Sequence, residues 1–307
     1  MFLSIGNANI DYFFVVKRMP REDEEVEAVN FYVEPGGSAS NVAVALARLG
    51  MSSRILCCIG NDLEGKFLLN EFNKEHVDTR YIKVVDYVAT GRVFIILTEG
   101  GKRMIAYRGA NKLLSANDLY DEVFREIEHV HVSGGKPEIA LRAFSMAKSL
   151  SKATTSYDPG STIARRGLGE LSSIIAYTDY LFLNELELEY LLKGAQISDL
   201  LKINPRVQII LKRGARGSAL ILSGRRVEAE AFNVRVVDVT GAGDAFDAGY
   251  MAAVKMGLEP WERLIFANAV AGIKVSRRGA RSSPKLSEVV EFLREKGLSD
   301  LAKKVRS

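Results

Sequence analysis

The sequence predicts an α/β protein built on a mostly parallel central sheet with helices on both faces. Segments with strand-like and helix-like patterns alternate along most of the 307 residues, which is typical of strand–helix–strand units. A hydrophobic content of 47% with 26% charged residues is ordinary for a globular chain that buries a large core. We therefore expect one α/β unit with a small appendage.

The alternation can be followed element by element. Strand-like apolar runs are predicted at residues 2–5, 54–59, 129–132, 155–157, 180–183, 207–212 and 218–222. Helix-like periodic segments are predicted at residues 41–49, 63–75, 137–149, 164–175, 186–192, 242–256, 261–276 and 286–296. Three of these helices have recognisable ends, because Gly50, Gly257 and Gly297 stand where a left-handed C-terminal cap would lie.

Two stretches interrupt the alternation, at residues 11–35 and 90–108. The second contains two β-runs joined by Glu99-Gly100-Gly101-Lys102, a pattern typical of a hairpin. Together the two stretches predict a small sheet that is separate from the main one and lies over one of its edges.

Composition excludes several classes of protein. The 42 basic and 38 acidic residues leave a formal net charge of +4, and no long run of one sign predicts a nucleic-acid partner. Cys57 and Cys58 are adjacent, so they show no metal-ligand spacing and cannot form an ordinary disulfide with each other. The chain start lacks a signal-peptide pattern, and no window approaches the roughly 18 apolar residues of a membrane span. We expect a cytoplasmic protein with neither a membrane nor a nucleic-acid partner.

A glycine-rich turn precedes a long apolar-periodic segment. Gly241-Ala242-Gly243-Asp244 falls where a helix begins, so unpaired backbone N–H groups and the helix dipole favour an anion there. A carboxylate beside such a site repels an anion unless it has chemistry to do, for instance accepting a proton from an attacking hydroxyl. Taken alone, the tetrapeptide is equally well explained as a turn in which Asp244 caps the helix.

The longer segment around this turn resembles a known family. Residues 238–250, "DVTGAGDAFDAGY", look like the C-terminal signature of ribokinase-like sugar kinases, also called phosphofructokinase-B-type carbohydrate kinases. Residues 36–50, "GGSASNVAVALARLG", look like their N-terminal signature, and segments at 183–189, 211–217 and 276–280 follow in family order. The resemblance implies a ribokinase-like three-layer sandwich and a single catalytic domain over residues 1–307. In that domain, the stretches at 11–35 and 90–108 form a discontinuous β-sheet lid.

The resemblance also implies the reacting and acceptor-binding groups. Asp244 corresponds to the base that takes the proton from the substrate hydroxyl. The implied anion hole for the transferring phosphoryl group consists of Gly241, Ala242 and Gly243. The residues implied to bind the sugar are Asn9, Asp11, Gly37, Ser38 and Asn41. Carboxylate and amide groups suit this task because they accept hydrogen bonds from hydroxyls.

The resemblance implies a nucleotide and cation side as well. Asn184 and Glu187 match an Asn-x-x-Glu motif that organises Mg²⁺ and the nucleotide phosphates, partly through water. On a helix, their three-residue spacing would place both side chains on one face. The residues matched to the nucleotide edge of the site are Lys212, Gly214, Gly217 and Asn268. The residues matched to a site for a monovalent cation such as K⁺ are Asp238 and Thr240, with the backbone around Arg277 and Gly279.

These matches predict a kinase that uses ATP and Mg²⁺ to phosphorylate a primary hydroxyl of a small-molecule sugar. Nucleosides are an alternative acceptor. Ribokinase has a glutamate near the position of Gly135, and because this chain lacks it, the resemblance does not imply a strict ribose kinase. Arg108 would face an acidic sugar such as 2-keto-3-deoxygluconate in a further alternative. A remote alternative is a sensor that binds without turnover, whereas a dinucleotide-dependent oxidoreductase is excluded because no Gly-x-Gly-x-x-Gly fingerprint follows the first strand. The lid is also expected to form a homodimer contact.

Overall fold

A computed structural model describes residues 1–305 and contains a main sheet of eight strands, a second sheet of four and a third of two. The strands are β1 Phe2–Gly6, β2 Asn9–Val15, β3 Asn30–Gly36, β4 Ser53–Leu56, β5 Cys58–Gly60, β6 Lys83–Val85, β7 Gly91–Thr98, β8 Gly101–Tyr107, β9 His129–Ser133, β10 Thr154–Asp158, β11 Tyr180–Asn184, β12 Gln208–Lys212, β13 Ser218–Leu222 and β14 Arg225–Ala229. The helices are α1 Ser38–Arg48, α2 Leu63–Lys74, α3 Pro137–Met146, α4 Gly160–Ala164, α5 Leu168–Ile175, α6 Glu185–Leu192, α7 Ile197–Ile203, α8 Ala242–Lys255, α9 Pro260–Val275, α10 Leu286–Glu295 and α11 Ser299–Lys304.

The main sheet has the strand order β14-β13-β12-β11-β10-β9-β1-β4. Its strands from β12 to β4 are parallel to one another, and β13 and β14 extend the sheet as an antiparallel hairpin. Parallel strands need crossover connections, which explains the alternation of strand and helix patterns along the chain. The predicted α/β class with a mostly parallel central sheet is confirmed.

Each face of the main sheet carries its own apolar core. Along β11, Leu181 and Leu183 pack into one core, and Tyr180 and Phe182 pack into the other, as expected when successive side chains alternate between faces. Helices α3, α5 and α7 contribute to the first core, and α1, α8, α9 and α10 contribute to the second. The result is three layers, with the sheet in the middle.

The second sheet has the order β3-β2-β7-β8. Strands β2 and β7 pair in parallel, and β3 and β8 are antiparallel edge strands. The two stretches that interrupt the sequence alternation supply its strands, and β7 and β8 form the predicted hairpin. Every side chain of β8 is exposed.

Some predicted elements are divided in the structure. The run predicted as one strand at 54–59 is β4 and β5, because β4 pairs with β1 in the main sheet and β5 leaves it to pair with β6. The helix predicted at 164–175 begins only at Leu168, as α5, because Gly167 has a φ of 87° that interrupts a helix; α4 already ends at Ala164. Helices α7 and α11 escape the sequence analysis because segments of 7 and 6 residues carry barely two turns of pattern.

No helix within residues 1–305 combines the length and the apolar character needed to cross a bilayer. Both cysteines are free and buried.

Candidate active site

The carboxyl ends of the parallel strands of the main sheet carry a row of polar or small residues. From one strand to the next these terminal residues are Gly6, Ser133, Asp158, Asn184 and Lys212. In open α/β sheets, ligands bind in crevices at this edge. A cleft of three adjoining cavities, with volumes of about 550, 360 and 310 Å³, lies along it.

Asp244 lies in the first turn of α8 and faces the middle cavity. Its Oδ2 accepts a hydrogen bond of 2.8 Å from Asn41 Nδ2, so residues 203 positions apart meet. Burial raises the pKa of Asp244 to about 6, although hydrogen bonds from Asn41 and Ser38 act in the opposite direction. A carboxylate with a pKa in this range is suited to take a proton near neutral pH.

Backbone geometry at the start of α8 explains the glycine before Asp244. Gly241 has a φ of 74°, a left-handed conformation that favours glycine. A Cβ at this position would also collide with the carbonyl oxygen of Ala280. Gly243 faces both the middle cavity and the 550 Å³ cavity, so the first turn of α8 separates the two spaces.

The predicted acceptor-binding residues form a buried polar group beside Asp244. Asn9 Oδ1 accepts a 2.8 Å hydrogen bond from Asn111 Nδ2, whereas Asp11 Oδ1 and Asn41 Oδ1 are buried without a partner among residues 1–305. Unpaired buried acceptors are costly, so these two oxygens are oriented for donors from a ligand. Burial raises the pKa of Asp11 to about 7, against the lowering effect of Arg281.

Two neighbouring glycines allow the backbone to approach this group. A Cβ at Gly36 would overlap the Asp11 carboxylate, and Gly37, with a φ of 94°, would place a Cβ against the carbonyl of Asn7. The sequence analysis missed Asn111, which also holds the backbone of Ala8. Asn111 lies in "RGANKLLS", residues 108–115, a segment that resembles ribokinase, but no local pattern there marks it as a partner of Asn9.

Lys212 occupies the floor of the cleft. Its Nζ donates to Asp158 Oδ2 at 2.7 Å and to Asp247 Oδ1 at 3.0 Å, and it faces both the middle cavity and the 550 Å³ cavity. Burial opposes its charge, but the two carboxylates raise the pKa of Lys212 above its usual value. The sequence analysis missed Asp158 and Asp247 as partners, although Asp247 lies within the C-terminal signature.

Asn184 and Glu187 meet through a helix cap and not through a shared helix face, which corrects the sequence-based expectation. Asn184 is the N-cap of α6; its Oδ1 accepts from Glu187 N and Glu187 Oε2 accepts from Asn184 N, both at 2.9 Å. The reciprocal cap turns both residues toward the middle cavity with Asp158. Burial, with a contribution from Asp158, raises the pKa of Glu187.

These three residues suit a hydrated divalent cation. Within residues 1–305, no three acidic, histidine or cysteine side chains converge tightly enough to hold a metal ion alone. Magnesium commonly keeps several waters and uses few protein carboxylates. The oxygens of Asp158, Asn184 and Glu187 around one cavity therefore fit Mg²⁺ bound largely through water.

The 550 Å³ cavity lies on the far side of Lys212 and has a mainly apolar wall that includes Val234, Val239 and Phe246. The predicted residues Gly214, Gly217 and Asn268 also face it. The Asn268 side chain is engaged within the protein, because it donates to the carbonyls of Ala229 and Glu230 and accepts from Ser218. An apolar space of this size is suited to a planar ring system.

The residues predicted to bind a monovalent cation come together around a buried lysine, Lys274. The Asp238 carboxylate accepts hydrogen bonds of 2.9 Å from the backbone N–H groups of Thr240 and Gly279. The Asp238 carbonyl accepts a 2.7 Å bond from Lys274 Nζ, which the sequence analysis missed. The Arg277 side chain turns away and pairs with Glu288.

The 310 Å³ cavity lies at the opposite end of the cleft. It shares Ser38, Ser133, Gly134 and Gly160 with the middle cavity. Arg108, the lid arginine singled out in the sequence, lies on its rim. Asp244 is therefore between a mainly apolar space on one side and, on the other, a space bordered by Arg108, Lys112 and Lys136.

Comparison with known proteins connects this arrangement to a family. The family model described as pfkB family carbohydrate kinase matches residues 1–286. The chain is 29% identical over 295 residues to an ATP-dependent ribose-1-phosphate kinase from Halopiger xanaduensis, covering 96% of this chain and 98% of the relative. The structure of a nucleoside kinase from Methanocaldococcus jannaschii, 25% identical, has a TM-score of 0.85 and covers 96% of this chain and 98% of that one.

A third similar protein is Arabidopsis thaliana ribokinase, whose structure holds ribose and ATP. It is 27% identical, has a TM-score of 0.83 and covers 95% of this chain and 98% of that one. The predicted ribokinase-like fold and the predicted phosphotransferase acting on a sugar or a nucleoside are thereby confirmed. The protein belongs to the pfkB family of carbohydrate kinases.

Proposed function

We propose that this protein transfers the γ-phosphoryl group of ATP to a primary hydroxyl of a sugar, with Asp244 as the base. The observation that carries this proposal is the position of Asp244. Its carboxylate lies at the start of α8, in the cavity between the other two, and is held by Asn41. An acceptor hydroxyl there meets the base and the N–H groups of the helix start together.

The acceptor lies against the buried polar group. Asp11 Oδ1 and Asn41 Oδ1 lack partners within residues 1–305, and sugar hydroxyls are donors that would satisfy both. With the ring held there, the attacking oxygen loses its proton to Asp244 as it bonds to phosphorus. Because burial holds the pKa of Asp244 near 6, the carboxylate is ionised and still basic at neutral pH.

The donor nucleotide lies in the 550 Å³ cavity, with its phosphates directed past Gly243 and Lys212 toward Asp244. The Lys212 ammonium and the first-turn N–H groups of α8 would face the negative charge of the phosphates. Mg²⁺, held through water by Asp158, Asn184 and Glu187, would supply further charge neutralisation when bound. We assign no K⁺ to the reaction here, because Lys274 contacts the Asp238 carbonyl.

The acceptor alternatives differ in charge. The similar proteins are named for ribose 1-phosphate, ribose and nucleosides. An acidic sugar such as 2-keto-3-deoxygluconate is a further alternative, because Arg108 could pair with its carboxylate. A sensor without turnover is disfavoured because Asp244, Asn184 and Glu187 face one cavity. A panel of ribose, ribose 1-phosphate, inosine and 2-keto-3-deoxygluconate, assayed for ADP release, separates all of these.

The four-stranded sheet β3-β2-β7-β8 would be the lid of the single catalytic domain. Asp11 lies on β2 of this sheet, so closure over the acceptor would exclude the water that competes for the phosphoryl group. The same sheet exposes large apolar side chains that a second copy of the chain would cover. They are Phe31, Val33, Met104, Ile105 and Tyr107. A cytoplasmic location stays a prediction.

Replacing Asp244 with Asn removes the base and preserves the size of the side chain. We expect kcat for ADP release to fall by roughly 10³-fold, with the Kd for the acceptor changed less than about threefold. Steady-state assays and calorimetric titration measure the two quantities. As a control, Asp300→Asn changes an exposed carboxylate on α11 and should have no effect. Near-normal turnover of the Asp244 variant would remove this residue from the mechanism.

The pKa of Asp244, raised by burial to about 6, predicts an acid limb in the rate profile. Because the base must be ionised, kcat/KM should fall about tenfold per pH unit below pH 6 and level off above it. Asn41→Ala removes a hydrogen bond that lowers this pKa, so the limb should move to higher pH. In Asp11→Asn the limb should persist, since Asp11, whose pKa is about 7, is not the base. If the acid limb disappears in Asp11→Asn, the limb reports the ionisation of Asp11 and not that of Asp244.

The homodimer through the lid sheet predicts a solution mass of twice the 33.8 kDa chain. Ile105 is 66% exposed on β8, and Ile105→Asp should yield monomers because a charge at a covered apolar position is costly. Light scattering measures the mass. Leu150→Asp places the same charge at an exposed position beyond α3 and should leave the dimer intact. A wild-type monomer, or dimers that survive Ile105→Asp, would contradict this contact.

A further inference from the structure

The 310 Å³ cavity at the acceptor end of the cleft has a cationic lining. Arg108, Lys112 and Lys136 lie around it, and none of its lining residues carries a carboxylate. Arg108 and Lys112 are exposed and Lys136 is half-buried. A cavity with three cations and no acid is matched to an anionic ligand group.

These three charges are not neutralised by the protein. Within residues 1–305, none of them forms an ion pair with Asp or Glu, whereas Lys83 on β6, Lys148 after α3 and Lys212 on β12 all do. Cations held near one another without counter-charges repel, and an anion between them relieves that repulsion. The unpaired cluster therefore favours a ligand that carries negative charge.

The backbone beside the cluster leaves room for such a ligand. Gly134 and Gly135 have φ values of 60° and 76°, and a Cβ on either would meet nothing within 4 Å. Lys136 is the N-cap of α3, so the positive end of that helix points the same way. Cationic side chains, a helix start and open space therefore border the same cavity.

We propose that the acceptor is a sugar monophosphate whose phosphate lies between Arg108, Lys112 and Lys136. This inference rests on the proposed function and names its substrate class. A phosphate carries a charge of about −1.5 to −2 at neutral pH, so it neutralises more of the charge of three cations than the single carboxylate of an acid sugar does. The neutral base of a nucleoside would leave all three unpaired.

The position of the cavity fixes the position of the phosphate on the sugar. The cluster lines the 310 Å³ cavity and Asp244 lines the adjoining middle cavity, with Ser38 and Ser133 facing both. The primary hydroxyl at Asp244 and the phosphate must then lie on opposite sides of the ring, as in ribose 1-phosphate. In the reaction the hydroxyl oxygen bonds to the γ-phosphorus, the bond from that phosphorus to the β-phosphate oxygen breaks, and Asp244 takes the proton. The products are a sugar bisphosphate and ADP.

The test compares ribose 1-phosphate with ribose as acceptors of the full-length protein, by ADP release with Mg²⁺-ATP. We expect kcat/KM to be at least 100-fold higher for ribose 1-phosphate. In Lys136→Ala and Arg108→Ala the ratio of the two kcat/KM values should fall about tenfold or more. Lys66→Ala, an exposed lysine on α2, should preserve the ratio.

Each other outcome overturns the substrate class. Equal kcat/KM values for the two acceptors, a higher value for 2-keto-3-deoxygluconate or for inosine, or an unchanged ratio in both variants would each do so. If the kinase proposal itself fails, the result is different, because ADP would then not be released with any acceptor. Inorganic phosphate gives a second measurement: it should compete with ribose 1-phosphate in the wild type, and more weakly in Lys136→Ala.

A second inference concerns Lys274, at the place where the sequence predicts a monovalent cation. Lys274 is fully buried, and its Nζ donates to the Asp238 carbonyl at 2.7 Å. Burial lowers the pKa of Lys274, and the carboxylates of Asp238, Glu34 and Asp244 oppose that effect. A K⁺ ion on the same carbonyl would lie against the ammonium and be repelled. The residues at this place therefore do not fit K⁺.

We infer that the Lys274 ammonium supplies the positive charge beneath the loop that leads into α8. The loop runs from Asp238 to Gly241, and Asp238 also anchors it through the N–H groups of Thr240 and Gly279. A covalently attached cation at its carbonyl holds the loop in the geometry that presents the start of α8. Lys274 is thus a positioning residue that makes the activity independent of K⁺.

The test exchanges the monovalent salt in the ADP-release assay. Wild-type kcat/KM should change less than about twofold between 100 mM tetramethylammonium chloride and 100 mM KCl, concentrations chosen as about physiological ionic strength. Lys274→Ala should lose about tenfold or more in tetramethylammonium chloride, and KCl should restore part of that loss. Lys66→Ala should match the wild type in both salts.

Activation of the wild type by K⁺ of about tenfold or more would overturn the inference, and this measurement needs no variant. A folded Lys274→Ala protein that keeps full activity without K⁺, or whose loss K⁺ does not reduce, would also overturn it. Thermal unfolding followed by circular dichroism identifies the folded variant.

Discussion

The buried contact of Lys212 with Asp158 and Asp247 is the interaction on which the site depends. It joins the carboxyl ends of β10 and β12 to α8, so the sheet and the helix cannot shift relative to one another at this edge. Asp247 lies about one helical turn after Asp244. The contact that holds Asp247 therefore also fixes the rotation of Asp244 about the helix axis. Burying three charges is costly, and removing one partner would leave an uncompensated charge. The cluster therefore favours one arrangement of α8 on the sheet.

From this fixed point the cleft is divided by charge. The space beyond Lys212 is mainly apolar, the middle is lined by carboxylates and one ammonium, and the far end is cationic. Under the proposed function, the three sections would hold a nucleotide base, the reacting groups with a hydrated cation, and an anionic acceptor. Because the strands of a parallel sheet end at one edge, these sections lie in a row.

Burial adjusts the carboxylates for different tasks. Asp244 and Asp11 both have raised pKa values, about 6 and about 7, with burial as the largest cause. Asp158, in contact with Lys212, has a lowered pKa despite its burial. The difference comes from the partner: an ammonium stabilises the ionised form, and an amide such as that of Asn41 does so only in part. Under the proposed function, the base Asp244 and the ionised Asp158 beside a hydrated cation would thus lie within the same cavity.

The sequence by itself determined the α/β alternation, the two interrupting stretches and the residues of the two signatures, including Asp244 and Asn41. These features are carried by neighbouring residues, whose periodicity and motifs can be read along the chain. Only the tertiary structure decided that Asn184 and Glu187 meet through a cap, that residues 54–59 divide between two sheets, and that Asp158, Asp247, Asn111 and Lys274 belong to the site. Those contacts join residues such as Asn9 and Asn111, 102 positions apart. The pairing of distant residues depends on how the elements pack, which no local pattern records, whereas Asn184 and Glu187 form a local cap whose pattern the sequence analysis interprets as a shared helix face.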